Sequence, residues 1–257
     1  MEGFKIYISS DGYLIIPDLD IKYLIDFRES TIPSMPEASE TTVKIAGKDG
    51  DVVLNTTYDP MSFEIVCYTE DNLEPEEKIK QETKINSFLN SIKKNTVAFG
   101  MEAEEKFYNV KYSGSLTTTR FPKHIRFSIP LKAADPYAKF YLPRKATGDS
   151  STVTFESSTI KETGAIFTIA GPATSPEIAL NDFEMIYNQS VIEGAKLVID
   201  TGNSTITNIS PLGMKSNVMP YYNHQFPKIQ PGKNELKVQS GISNASQVTL
   251  EWYDLKF

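Results

Sequence analysis

The residue types that carry most enzyme chemistry, cysteine and histidine, are nearly absent from this chain. It has one cysteine, Cys67, and two histidines, His124 and His224, which are far apart in sequence. One cysteine cannot form an intrachain disulfide or a thiolate cage for a metal, and neither histidine has a second histidine at metal-binding spacing. Cys67 alternates with Phe63 and Ile65, which predicts an inward-facing position on a strand. The sequence therefore predicts no metal site and an inert, buried thiol.

Phosphate-binding and carboxylate-based chemistry also lack a motif. The segment Gly47-Lys48-Asp49-Gly50 has too few residues between its glycines for a phosphate-binding loop, and a strand-like run follows it instead of a helix. Its Asp-Gly pair instead predicts a hairpin turn. The chain has 33 acidic residues, so no particular pair stands out as the two carboxylates of a glycosidase. We therefore predict no catalytic residue, no cofactor and no enzymatic activity.

Composition narrows the class of protein further. The chain has 257 residues, of which 40% are hydrophobic and 23% charged, and its formal net charge is −7. These values are typical of one large or two small globular domains. An acidic chain lacks the basic surface that supplies most nucleic-acid affinity, so we predict no direct nucleic-acid recognition. No apolar run is long enough to span a bilayer and the first residues lack a signal peptide, so we expect a soluble protein without membrane insertion, made in the cytoplasm.

Short strand-like runs separated by turn residues recur along the whole chain, and one segment departs from this pattern. Between Pro75 and Lys94 the apolar residues Ile85, Phe88, Leu89 and Ile92 have the spacing of one helix face. A proline at the start and acidic residues in the first turn are typical of a helix N-terminus. We predict one helix over residues 75–94, packed on a β-sheet.

A small, polar segment at residues 145–151 suggests a linker between two domains. Beyond it we find only short strand-like runs, which fit a β-sandwich. The sequence thus predicts a mainly β protein. Residues 1–145 form an α+β domain with a single helix on a sheet, and residues 146–257 form a C-terminal β-sandwich.

The second half also contains an aromatic run, which includes Tyr221, Tyr222, His224 and Phe226. Aromatic rings of this kind either pack in a core or interface, or stack against a sugar ring at the surface. These four residues are our candidates for a surface contact. A carbohydrate-binding module for host-surface adhesion is the alternative function that they would serve, and a cell-wall hydrolase is a further alternative without a supporting motif.

The order of several turn motifs resembles that of the distal tail protein (Dit) family of long-tailed bacteriophages and prophages. Each motif is degenerate, and the resemblance rests on their sequence order across both halves. In chain order they are the Gly-Lys-Asp-Gly turn at residues 47–50, the helix at 75–94, the Asp-Pro-Tyr element at 135–137, the strand with a trailing Asp-Thr at 194–201 and the Pro-Gly-x-Asn turn at 231–234. The first turn has Lys48 where arginine is common in the family.

The resemblance implies that the protein has a structural role and is not an enzyme. Distal tail proteins form a homohexameric ring at the virion tail tip, in which the N-terminal domains continue the channel of the tail tube. The C-terminal β-sandwich, galectin-like or jelly-roll-like in shape, projects outward. The expected partners are therefore further copies of this chain, the major tail tube protein, a tail-tip or tail-lysin protein, and receptor-binding or baseplate proteins. A phage-tail-like bacteriocin would give a similar sequence.

Overall fold

The computed structural model describes residues 5–17, 21–69, 72–93, 95–148, 151–242, 244 and 248–257. The chain divides into two compact units. The first unit ends at Tyr141 and also includes Phe257, and the second spans Leu142–Lys256. Both are built mainly from β-strands, as the turn-punctuated sequence predicted.

The first unit contains eleven strands and one α-helix among the described residues. In chain order they are β1 (Lys5–Ile8), β2 (Tyr13–Ile16), β3 (Ile21–Ile25), β4 (Ala38–Lys44), β5 (Asp51–Tyr58), β6 (Met61–Tyr68), α1 (Pro75–Ile92), β7 (Val97–Met101), β8 (Lys106–Tyr112), β9 (Thr117–Arg120), β10 (Ile125–Ala133) and β11 (Ala138–Phe140).

Seven of these strands close into a barrel. They follow the order β8-β7-β1-β2-β3-β6-β10, and β10 pairs again with β8 to complete the circuit. All pairs are antiparallel except β1 with β7. Residues on β10 alternate between buried and half-buried positions, with Ile125, Phe127, Ile129 and Leu131 buried. This period of two places one face of each strand in the barrel core.

The helix α1 covers part of this core. Its buried residues are Ile85, Phe88, Leu89 and Ile92, the four that the spacing predicted, whereas Ile79 is exposed. The backbone N–H of Glu74 donates to the Glu77 carboxylate, which ties down the first turn. The predicted end at Lys94 was too late, because the helix ends at Ile92; residue 94 lies outside the described residues.

Strands β4 and β5 form a separate two-stranded hairpin. Ala38 pairs with Tyr58 at its base and Lys44 with Asp51 near its tip, with a bulge at Thr41–Thr42. Gly47 and Gly50 in the connecting turn have φ of 81° and 80°, a backbone conformation that favours glycine. The hairpin predicted from the Asp-Gly pair is therefore confirmed. Every residue of β4 is exposed.

The second unit is a sandwich of two antiparallel sheets. One has the order β12-β22-β14-β18-β19-β20, and the other has the order β13-β21-β15-β16, with β17 paired to β15. A single apolar cluster, which includes Phe167, Leu197, Leu236 and Trp252, fills the space between them. The strands of the two sheets are β12 (Arg144–Thr147), β13 (Thr152–Ser157), β14 (Ala165–Ala170), β15 (Ala173–Leu180), β16 (Phe183–Ile186), β17 (Ser190–Val191), β18 (Lys196–Asp200), β19 (Thr205–Ile209), β20 (Lys215–Asn217), β21 (Gly232–Ile242) and β22 (Val248–Trp252). A last short strand, β23 (Leu255–Lys256), belongs to neither sheet.

A buried carboxylate holds the strand ends of this sandwich together. The side chain of Asp254 is 1% exposed. It accepts hydrogen bonds from the hydroxyls of Ser157 and Ser158 at 2.6 and 2.8 Å and from the indole N–H of Trp252 at 3.0 Å, and it pairs with Arg144 at 3.4 Å. Burial opposes ionisation, but these donors outweigh it and hold the pKa of Asp254 below its ordinary value of 3.8.

We predict that Asp254→Asn destabilises the second unit by about 2–4 kcal/mol, because an amide nitrogen then faces donors that need an acceptor. The measurement is urea unfolding followed by the fluorescence of Trp252, the single tryptophan, which lies in this unit. Because the folded pKa is depressed, the stabilisation is present above the ordinary pKa and is lost as pH falls through the folded pKa. The parent protein should therefore lose stability below about pH 4 more steeply than the variant.

The matched control is Asp182→Asn, an exposed aspartate in the turn between β15 and β16. Its free energy of unfolding should change by less than about 0.5 kcal/mol. Equal effects of the two substitutions would contradict a specific role for the Asp254 carboxylate.

Candidate functional site

The single cysteine lies in the hydrophobic core of the first unit. Cys67 lies on β6 with no exposed surface, and burial raises the pKa of its thiol, so the reactive thiolate is disfavoured. Within the part of the chain that the structure describes, no group of three or more His, Cys, Asp or Glu side chains could hold a metal ion. None of the helices described there is long and apolar enough to cross a bilayer.

The two histidines have different surroundings. His124 lies between two aromatic rings, with ring centroids 4.8 Å from Phe121 and 5.2 Å from Tyr68. His224 is exposed and its backbone has a φ of 59°. They belong to different compact units, His124 to the first and His224 to the second.

The aromatic run of the second unit splits into inward-facing and outward-facing residues. Tyr222 is 3% exposed and its hydroxyl donates to the carbonyl of Gln225. Its ring lies 5.3 Å from that of Phe226, which is itself half-buried against the core. Tyr221 is 48% exposed and His224 is also exposed. Of the four candidate residues, these two are the exposed ones.

This segment is fixed to the neighbouring strands by its polar groups. The Asn223 side chain donates to the Glu184 carbonyl on β16 at 2.8 Å, and the Asn188 backbone N–H donates to the Tyr221 carbonyl at 2.8 Å. A residue whose backbone is already fixed loses little backbone conformational entropy when its side chain binds a partner. Tyr221 is therefore better suited to a binding contact than an exposed ring on a mobile loop would be.

The first unit has its own exposed apolar surface, at the tip of the β4–β5 hairpin. The exposed fractions are 41% for Val43, 50% for Ile45, 49% for Val53 and 64% for Leu54. We call these four residues the hairpin tip. An isolated two-stranded hairpin is marginally stable in water, and large exposed apolar groups usually mark a binding surface. The sequence analysis found the turn but did not identify this apolar tip.

A groove on the first unit combines aromatic rings, an aliphatic side chain and one cation. Its volume is about 620 Å³ and its walls include Tyr13, Lys22, Leu24, Tyr68, Phe121 and His124. Leu24 is 50% exposed and Phe121 39% exposed. The Lys22 ammonium lies 3.9 Å from the centroid of the Tyr13 ring and 3.1 Å from the Asp11 carboxylate. We call this the aromatic groove, and it too was not predicted from the sequence.

The turn motifs that carried the family resemblance turn out to stabilise the fold. Asn234 is 1% exposed. Its side chain accepts from the Gln230 N–H at 2.9 Å and donates to the carbonyls of Gln230 and Gly232 at 2.8 and 3.0 Å. Asp200 similarly accepts from the N–H groups of the two residues after Thr201. These side chains satisfy turn backbone groups, and Asn234 also accepts from the Asn181 side chain at 3.2 Å, which ties its turn to the loop after β15.

Comparison with protein-family models gives two matches. Residues 17–133 match the phage tail protein RIFT-related domain. Residues 148–254 match the C-terminal domain of the siphovirus-type tail component. Together the two models span most of the chain: the first matches within the first compact unit and the second within the second unit. A search of curated protein sequences found no match.

Solved structures with the same fold come from phage tail assemblies. The Dit protein of phage SPP1, described as a paradigm of the hub of the adsorption apparatus in phages of Gram-positive hosts, aligns with a TM-score of 0.70 and 13% identity. The alignment covers 91% of this chain and 94% of that one. A chain of the phage P2 baseplate in its activated conformation with Ca aligns with a TM-score of 0.61 and 10% identity, covering 94% and 93%.

We predict that Tyr221 and Tyr222 differ sharply in their effect on stability. Tyr221→Ala should change the free energy of unfolding by less than about 0.5 kcal/mol, because half of its ring is in water. Tyr222→Ala should cost about 3–5 kcal/mol, as for other buried aromatic residues. Urea unfolding measures both, and similar costs would contradict the division of the aromatic run into an outer and an inner part.

Proposed function

Because the chain belongs to the siphophage distal tail (Dit) protein family, we propose that it forms a homohexameric ring at the virion tail tip. The ring joins the tail tube to the tail-tip and receptor-binding apparatus. The observation that supports this most strongly is the presence of both family domains in one chain, in the same order as the two compact units. The protein is a structural component of the distal tail.

The first unit is the proposed ring-forming domain. A ring requires a heterologous contact, in which one surface of each copy meets a different surface of the next. The closed barrel leaves few free strand edges. In contrast, β4 and β5 pair only with each other among the described residues, so each has one edge without a neighbouring strand. Its four exposed apolar residues and its open edges supply a contact that one copy cannot satisfy by itself.

The partners follow from the position of the ring. We propose that one face of the ring meets the major tail tube protein and the other meets a tail-tip or tail-lysin protein, while the second unit contacts receptor-binding and baseplate proteins. The family and the structural neighbours support assembly with other tail components. Those families and neighbours are structural tail and baseplate proteins, which fits a chain that does not act as an enzyme.

The exposed part of the aromatic run is a proposed contact within this assembly. Tyr221 and His224 lie at the surface of the second unit, and Tyr221 is held by the backbone contacts described above. A carbohydrate on the host surface is the alternative occupant, since an exposed tyrosine ring can stack on a sugar. Glycan binding by the Tyr221→Ala variant, compared with Phe183→Ala as an equally exposed aromatic control, distinguishes a sugar contact from a protein contact.

Light scattering behind a sizing column tests the ring. We expect a species of six times the 28.8 kDa protomer mass, which dissociates on dilution. The double variant Val53→Asp/Leu54→Asp should shift this species to the monomer while leaving the circular dichroism spectrum unchanged, because both residues are exposed, by 49% and 64%.

The matched control is Leu212→Asp, since Leu212 is 86% exposed on the second unit and should leave the hexamer intact. A parent protein that stays monomeric at every concentration, both alone and with the tail tube protein added, would contradict the proposed ring. A hexamer that survives the double substitution would instead show that the ring closes through another surface.

A further inference from the structure

The two halves of the β4–β5 hairpin differ in polarity. The half nearest its base contains Ser39, Glu40, Thr41, Asn55 and Thr56 in the two strands. The apolar side chains of the hairpin tip lie in the other half, next to the turn. At the base, the ring of the half-buried Tyr58 lies 6.2 Å from that of Tyr137 and 4.7 Å from that of Phe257, so the first unit itself covers this residue. The four residues of the hairpin tip are 41–64% exposed and are therefore available to another molecule.

Whereas the hairpin tip projects, the aromatic groove is a recess in the surface of the first unit. Two tyrosines, a phenylalanine and Leu24 give it largely apolar walls, and its volume of about 620 Å³ is large enough for a few aliphatic side chains. Phe121 and His124 belong to the turn between β9 and β10, which the hydrogen bond from the Phe121 N–H to the His124 carbonyl at 2.9 Å closes. The wall that these two residues form is therefore a built part of the barrel.

We infer that the hairpin tip of one copy docks in the aromatic groove of the next copy. The inference rests on the proposed ring and names the two surfaces that close it. One chain carries both a projecting apolar segment and an apolar recess at different sites. That is the arrangement from which a head-to-tail contact repeats around a ring. Aliphatic side chains such as Leu54 and Val53 pack well against aromatic ring faces and edges.

The charges around the two surfaces restrict how they can meet. The groove carries Lys22 in its wall, and Lys123 is exposed in the turn beside it. The turn end of the hairpin carries Asp49 and Asp51 but also Lys44 and Lys48, all exposed, so the docked orientation must bring the aspartates toward the groove and leave the lysines in solvent. Lys22 is itself exposed and already lies 3.1 Å from Asp11, so an incoming carboxylate adds to an existing ion pair instead of desolvating an unpaired ammonium. These contacts set orientation more than affinity.

Cysteine cross-linking of two single variants tests the docking directly. Leu54→Cys with one affinity tag and Leu24→Cys with another are co-expressed, and the purified protein is treated with a mild oxidant. We expect a disulfide-linked dimer that carries both tags and disappears on reduction. The native Cys67 gives a clean background, since it has no exposed surface. Because each chain carries only one new cysteine, a bond within one chain cannot produce this product.

The matched control replaces Leu24→Cys with Leu212→Cys, an exposed leucine on the second unit. It should give at least ten-fold less mixed dimer. A hexamer by mass with no cross-link above this control would overturn the docking inference while leaving the proposed ring intact. A monomer by mass would contradict the ring and the docking together.

A second variant covers the case in which the introduced cysteines distort the surfaces. Leu24→Arg places a charge in the groove and should convert the hexamer to the monomer, as the double hairpin variant does. Leu212→Arg places the same charge on an exposed leucine of the second unit and should leave the hexamer intact. A Leu24→Arg protein that remains folded by circular dichroism and hexameric by light scattering would overturn the inference.

Discussion

The pairing of β10 with β8 is the contact on which the architecture of the first unit depends. Three residue pairs join the two strands, Leu131 with Tyr112, Lys132 with Lys111 and Ala133 with Val110. Earlier along the same strand, Ile125–Ser128 pair with β9 instead. Pro130 lies between the two sets of pairs. It has no N–H to donate, so it fits the point at which the strand exchanges one neighbour for another.

Closing the barrel has a consequence for assembly. A closed sheet has no edge along the strands that complete the circuit, and so it cannot recruit another copy by extending those strands. Among the described residues of this unit, the remaining routes for association include the hairpin, the short edge strand β9 and side-chain surfaces such as the aromatic groove. The hairpin differs from β9 in that it carries both open backbone groups and several exposed apolar side chains.

The sequence was most informative where the evidence for a structure is local. The spacing of Ile85, Phe88, Leu89 and Ile92 predicted the buried face of α1, and the Asp-Gly pair predicted the hairpin turn, because both patterns act within a few residues. The aromatic groove could not be predicted in the same way. Its walls come from β2, β3, β6 and the turn after β9, which only the closed barrel brings together. The aromatic run was predicted only in part. The sequence located the run, but it did not indicate that Tyr222 is buried and Tyr221 exposed.

The hairpin tip and its turn combine two opposing requirements. A tip that docks in another copy needs apolar side chains, yet exposed apolar strands in a free protomer promote uncontrolled pairing. The turn beside the apolar residues carries Lys44, Lys48, Asp49 and Asp51, all exposed. Charged side chains at an open edge disfavour indiscriminate strand addition, because each new pairing would bury an unmatched charge. A groove with aromatic walls and two lysines beside it can accept the apolar tip when Asp49 and Asp51 face those ammonium groups and Lys44 and Lys48 stay in solvent, so the charges that disfavour unspecific pairing also orient the inferred docking.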